Sequence, residues 1–257
     1  FHRSASSYSP THARLFWNGD QLVTWDAYDG LHSALHATMS GGLSGMALIH
    51  SDIGGYTMIN KRSFGINITY TRSCELLFRW AEMCAFTDAI FRTHPGSAPG
   101  PEEAQALSSN ISARHFGAFA RVHASLCDYR HALMEETETR GLPITRHPMF
   151  HYSHDEHIRD MVSQVMLGPD ILVAPVLFPG ATSVEVYLPE DPDKWVRWPS
   201  MAEARPGNLV AEAPFGEPAV FIRAGFRTRF PSSWQALERE GKFLIKNAAQ
   251  FKCPAGR

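Results

Sequence analysis

Two aspartates, Asp20 and Asp52, each follow a short apolar run and each stand beside glycine. Carboxyl groups that flank a scissile glycosidic bond can cut it: one protonates the leaving oxygen, and the other attacks the anomeric carbon or activates water. A carboxyl becomes a useful acid where apolar neighbours disfavour its ionised form. Phe16, Trp17 and Trp25 bracket Asp20, and Gly19 allows the turn to approach a ligand closely. Asp52 lies in HSDIGGY, where a glycine pair permits close backbone approach. His94, in RTHPG, can donate to a sugar hydroxyl, and Arg3 can pair with a carboxylate or bind hydroxyls. Each residue also has an ordinary reading: a turn or cap aspartate, an Asx turn, a satisfied strand-end histidine, a solvated arginine. Their joint position sets them apart, because each closes a strand of one parallel sheet.

That sheet follows from the order of elements. Residues 13–19 and 44–50 are apolar runs stopped by polar, glycine-rich segments, and Ala89-Ile90-Phe91 makes a third short strand. Helices are predicted between and after them. The first covers 30–40 and is ended by Gly41-Gly42; the second covers 74–85 behind the N-cap Ser73; the third, long helix covers about 112–139. Strand and helix alternate, which implies parallel strands with helical crossovers. In a parallel α/β barrel the segments after the strands form the rim where catalytic groups collect. Asp20, Asp52 and His94 fall there.

After Gly141 the texture changes to short strands punctuated by proline and glycine: 143–152, 170–176, 184–188, 195–198, 209–212 and 219–223. This reads as an antiparallel β domain with one helix, about 155–167, interrupting it. The division is therefore 1–141, then 142–225, then a weakly patterned, loosely ordered tail over 226–257.

The bulk numbers narrow the partners. Apolar residues make up 44% and charged residues 19%, with a net charge of −2, so nothing points to nucleic acid or to a basic membrane patch. No run of eighteen apolar residues marks a membrane span. Cys74, Cys84, Cys127 and Cys253 lack CxxC spacing, which argues against zinc. Cys74, Cys84 and Cys127 read as buried free thiols on helices, with no disulfide framework. Asn67-Ile68-Thr69 and Asn110-Ile111-Ser112 are N-glycosylation triplets of a kind common by chance.

The segments FWNGDQLVTW (16–25), GMALIHSDIGGYT (45–57), ELLFRWAEMCAFTDAIFRTHPGS (75–97) and LGPDILVAPV (167–176), followed by VEVYLPE (184–190), resemble glycoside hydrolase family 31 in order and spacing. Their wording is closest to its sulfoquinovosidase-like branch, and the likeness covers about residues 1–225. It implies a fold of α/β plus all-β type: the C-terminal half of a (β/α)8 TIM barrel followed by an antiparallel β-sandwich domain. It also implies roles. Asp20 matches the acid/base and Trp17 the aromatic wall of the sugar site. Arg3 matches an arginine that contacts substrate hydroxyls, Asp52 the site aspartate of the next strand, Tyr56 an aromatic at the sugar's edge, and His94 a histidine bonded to ring hydroxyls. Tyr56 alone fits a sulfonate partner, and it fits a plain glucoside as well.

The resemblance implies hydrolysis of small α-glycosides with retention through a glycosyl-enzyme, with no metal and no organic cofactor. The family's nucleophile is an aspartate on an earlier strand, well before Arg3. The chain is thus expected to be a fragment or split product whose partner is the missing N-terminal half of the barrel. The alternative is a catalytically inactive remnant that serves as a carbohydrate-binding or structural subunit. The segment FGINITYT (64–71) is a few residues longer than is usual in the family and is expected on a rim loop.

Overall fold

The computed structural model describes residues 3, 6–63, 66–101 and 103–253. Strands β1 (Leu15–Trp17) and β2 (Leu48–His50) pair in parallel, with Trp17 opposite His50, and helix α1 (Leu31–Leu43) crosses between them. Gly41 and Gly42 were expected to stop α1, but both lie within it. A Cβ on Gly42 would stand 3.1 Å from Pro143, so this pair lets the helix pack closely against the next segment.

The third expected strand, 89–91, is not a regular one. It is reduced to separate contacts: Ala89 N donates to Ile49 O at 2.8 Å, and Ile53 forms a parallel bridge with Thr93. The Asp88 carboxylate accepts from Ser51 N at 2.7 Å, so a side chain takes an N–H that a ladder would otherwise use. The chain order and parallel sense match expectation; the ladder does not form. The 64–71 segment belongs to a hairpin of β3 (Ile59–Ser63) and β4 (Ile66–Tyr70), with residues 64 and 65 outside the described set.

Helix α2 (Cys74–Thr87) begins at Ser73, whose side chain accepts from Leu76 N at 3.1 Å as a cap should. The single helix expected over 112–139 is two, α3 (Asn110–Ser125) and α4 (Cys127–Arg140), broken at Leu126. Arg130 explains the break physically. Its guanidinium donates to His123 O at 2.8 Å, serving a carbonyl at the end of α3.

The remaining strands are β5 (Thr145–Arg146), β6 (Val165–Leu167), β7 (Ile171–Ala174), β8 (Ser183–Leu188), β9 (Trp195–Trp198), β10 (Ala202–Ala204), β11 (Gly207–Glu212) and β12 (Ala219–Arg223). Six form an antiparallel sheet in the order β10-β9-β12-β7-β6-β5, and β11 pairs with β8. The helix expected over 155–167 is absent. One 3-10 turn, Glu156–Ile158, stands there, and 165–167 is strand. Period two explains this. Val165 and Leu167 join the large core beneath the helices, whereas Met166 joins a second core with Leu172, Val186 and Phe221. A strand can serve two cores in this way; a helix cannot.

The tail is also more ordered than expected. After a short turn of helix, α5 (Phe226–Arg229), helix α6 (Pro231–Asn247) buries Trp234, Leu237 and Leu244 in the large core. Pro231 opens α6 at its first position, where a missing N–H costs nothing. Trp198 Nε1 donates to Leu237 O at 2.9 Å, tying α6 to the sheet. The cysteine expectation is corrected as well. Cys74 and Cys253 form a disulfide with a Cα–Cα distance of 5.6 Å, and Cys127 is exposed; Cys84 is a buried free thiol, as read from the sequence.

Candidate active site

The turn after β1 is held from several sides. Asn18 N donates to His50 O at 2.9 Å, and Asn18 Nδ2 reaches Ala34 O and Thr38 Oγ1 on α1, both at 3.2 Å. Thr57 Oγ1 donates to Asp20 O at 2.7 Å, linking this turn to the loop after β2. The local sequence Trp-Asn-Gly-Asp therefore anchors its own backbone and leaves the Asp20 carboxylate, 26% exposed, at the mouth. Arg3 Nη2 stands 2.8 Å from Asp20 Oδ2, and its guanidinium carbon lies 5.4 Å from the centre of the Trp17 ring. Trp25 was expected to bracket Asp20; it packs against the large core instead.

Asp52 is fully buried, and Arg92 Nη2 stands 2.7 Å from its Oδ1. Burial raises the Asp52 pKa above the ordinary carboxylate range; the charges of Arg92 and His94 oppose that rise, and Asp20 adds to it. The carboxylates of Asp20 and Asp52 thus sense each other across one site. Arg92 Nη1 also reaches His50 Nε2 at 3.3 Å, and its guanidinium carbon lies 5.6 Å from the Trp17 ring centre. His50 has its pKa lowered to about 4 by burial and by Arg92. The imidazole is therefore neutral, accepting from Arg92 at Nε2 and donating from Nδ1 to Phe16 O at 3.0 Å.

His94 and Tyr56 meet edge to face, with ring centroids 4.8 Å apart. Gly96 N donates to His94 Nδ1 at 3.1 Å. That places the ring proton on Nε2, so the imidazole edge away from the backbone is a donor. The glycine pair before Tyr56 is required by close approach: both residues have positive φ, and a Cβ on Gly55 would lie 2.7 Å from Leu22 O. A cavity of about 270 Å³ opens on the α1 side of Trp17, with Arg3, Asn18 and Met46 among its walls. Its walls include neither Asp20 nor Asp52.

The structure thus gathers Arg3, Trp17 and Asp20 into one contact group and Tyr56 with His94 into another, and Arg92 joins Asp52 to Trp17. Three residues escaped the sequence reading: His50, Arg72 and Arg92. A period-two rule would have found two of them, because His50 precedes Asp52 by two residues and Arg92 likewise precedes His94. Arg72 precedes the cap of α2 and carried no such signal. Among the described residues no group of histidine, cysteine, aspartate and glutamate could hold a metal ion, and no helix is long and apolar enough to cross a membrane.

A parallel α/β unit with carboxylates at its strand ends, followed by a β domain, is the layout of a barrel glycosidase. The chain belongs to glycoside hydrolase family 31: residues 1–135 match the family's TIM-barrel domain and residues 141–226 its C-terminal domain. It is 37% identical over 237 residues to the sulfoquinovosidase of Escherichia coli (strain K12), covering 92% of this chain and 32% of that protein. It is 36% identical to the sulfoquinovosidase of Agrobacterium fabrum, covering 87% of this chain and 32% of that protein. Among solved structures it resembles a family 31 sulfoquinovosidase from E. rectale in complex with an aza-sugar inhibitor. That likeness has a TM-score of 0.77 and 32% identity, and it covers 88% of this chain and 32% of the other. The chain therefore spans about a third of the length of these relatives.

Proposed function

We propose that this chain supplies the acid/base side of a retaining α-glycosidase active site, with Asp20 as the acid/base. The observation that carries the reading is the Asp20 carboxylate at the barrel mouth, 2.8 Å from Arg3 and beside the Trp17 ring that Arg3 overlies. A carboxylate of the missing N-terminal half of the barrel attacks the anomeric carbon, and the glycosidic C–O bond breaks as Asp20 gives its proton to the leaving oxygen. Asp20 then takes a proton from water, the water oxygen bonds to the anomeric carbon, and the enzyme–sugar ester breaks. Two displacements retain the α configuration. Arg3, Asp52 and His94 serve the sugar hydroxyls, Trp17 walls the pocket, and Tyr56 borders the sugar's far edge. The domain division at about residue 141 follows the same reading.

Among α-glycosides a sulfoquinovoside is favoured, because relatives that match about nine-tenths of this chain at 36–37% identity are sulfoquinovosidases. The test joins the chain to its N-terminal half and compares rates on aryl α-sulfoquinovoside and aryl α-glucoside. Asp20→Asn should cut turnover of natural glycosides by roughly 10²–10⁴-fold. Near-normal turnover in that variant refutes the assignment. Absence of any α-glycoside turnover in the joined protein favours the alternative, an inactive carbohydrate-binding or structural subunit.

A further inference from the structure

Arg72 lies beneath the site rather than in it. Its side chain has no exposure to solvent, yet it carries a full set of charged donors. Nε donates to Gly54 O at 3.0 Å and Nη2 to Gly55 O. Nη1 donates to His94 O at 2.9 Å and to Gln105 Oε1 at 3.2 Å. Gln105 in turn donates from Nε2 to Pro95 O at 2.8 Å. One planar guanidinium thus grips the loop that ends in Tyr56 and the strand end that carries His94.

The loop is moulded onto this group. A Cβ on Gly54 would lie 2.8 Å from Arg72 Cδ, so any other residue there would push the guanidinium out of place. Burial lowers the Arg72 pKa to about 10, which leaves it charged at neutral pH. A lysine could not replace it. The fork spreads its donors over several carbonyls in one plane, whereas an ammonium presents all of its donors from one atom.

We infer that Arg72 is a positioning residue that sets the spacing between Tyr56 and His94, and through that spacing the fit of the sugar. The inference rests on the reading of Tyr56 and His94 as sugar contacts. Mere packing would not require three backbone carbonyls from two separate rim segments to converge on one side chain.

The test uses the complete enzyme with two variants, Arg72→Lys and the milder Gln105→Leu. Gln105 is half-buried, and its loss removes one acceptor and the link to Pro95 without stranding a buried charge. In Arg72→Lys, KM should rise about tenfold or more while kcat changes little, the pattern of lost substrate positioning. Gln105→Leu should shift KM in the same direction by less. Adding Tyr56→Phe to Arg72→Lys should cost less than it does in the wild type, because the two act through one contact. Crystal structures of both variants supply a readout independent of turnover: the ring separation, now 4.8 Å, should change by at least about 0.5 Å. Should Arg72→Lys fail to fold, the Gln105→Leu structure and KM decide. Unchanged ring spacing with unchanged KM overturns the inference. A wild-type enzyme inert toward every α-glycoside would overturn the proposed function, and the crystal readout would still decide whether Arg72 sets this spacing.

Discussion

Arg92 reaches Asp52 with one amino group, at 2.7 Å, and His50 with the other, at 3.3 Å. Asp52 is wholly buried, so its charge depends on that partner. Arg92→Met should destabilise the protein by about 3 kcal/mol at neutral pH, because it strands a buried carboxylate. The sign with pH is fixed. Asp52 already titrates above its ordinary range, so its ionisation costs stability as pH rises through the folded value. Losing Arg92 raises that value further. Urea denaturation should show the variant's deficit to be small near pH 4 and large near pH 8; a pH-independent deficit would contradict this account.

Asp88 offers a second pH signature. It is buried and its pKa is pushed up to about 6, chiefly by burial, although Ser51 and Thr87 hydrogen bonds favour its charged form. A raised carboxylate pKa carries no cost below the unfolded value near 4 and its full cost above 6. Its contribution to stability should therefore fall between about pH 4 and 6, by an amount of order 3 kcal/mol. Asp88→Asn is expected to lose that slope. Its absolute stability drops, because the amide has one oxygen where the carboxylate offers two. Thermal melts across this pH range check both statements.

The cysteines can be counted chemically. The unfolded, unreduced chain should show two reactive thiols, Cys84 and Cys127, and the reduced chain four. In the native state only exposed Cys127 should react promptly. Cys253→Ser should lower stability by about 2–4 kcal/mol, because the bridge closes a loop of 179 residues and holds the C-terminal segment to the start of α2. Four reactive thiols without reduction would contradict the pairing.

Gly55→Ala should cost both stability and activity. Its φ is +78°, and the added methyl would meet the Leu22 carbonyl oxygen at 2.7 Å, backbone that cannot swing aside. We expect a loss of about 1–3 kcal/mol and a rise in KM in the joined enzyme, since Tyr56 follows directly in the chain. Calorimetry and steady-state kinetics measure the two effects.

The failures of the sequence reading share a cause. Residues 155–167 hold apolar residues in a run short enough to suit either a helix or a strand. The choice fell to the two separate cores that Met166 and its neighbours serve. In the tail, Trp234, Leu237 and Leu244 recur at helical spacing, but the stripe is narrow and polar residues fill most of α6. Its helix became visible only against the sheet and α3 that cover it.

The sequence by itself determined the order of the parallel strands, the placing of Asp20, Asp52 and His94 at strand ends, and the family. Those properties reside in local period, turn chemistry and motif spacing, which neighbouring residues specify. Tertiary structure decided the rest: Arg92 against Asp52 across 40 positions, Arg72 beneath Gly54, Gly55 and His94, and Cys74 joined to Cys253. Such contacts depend on where distant segments end in space, and no local pattern encodes which buried charge will meet which.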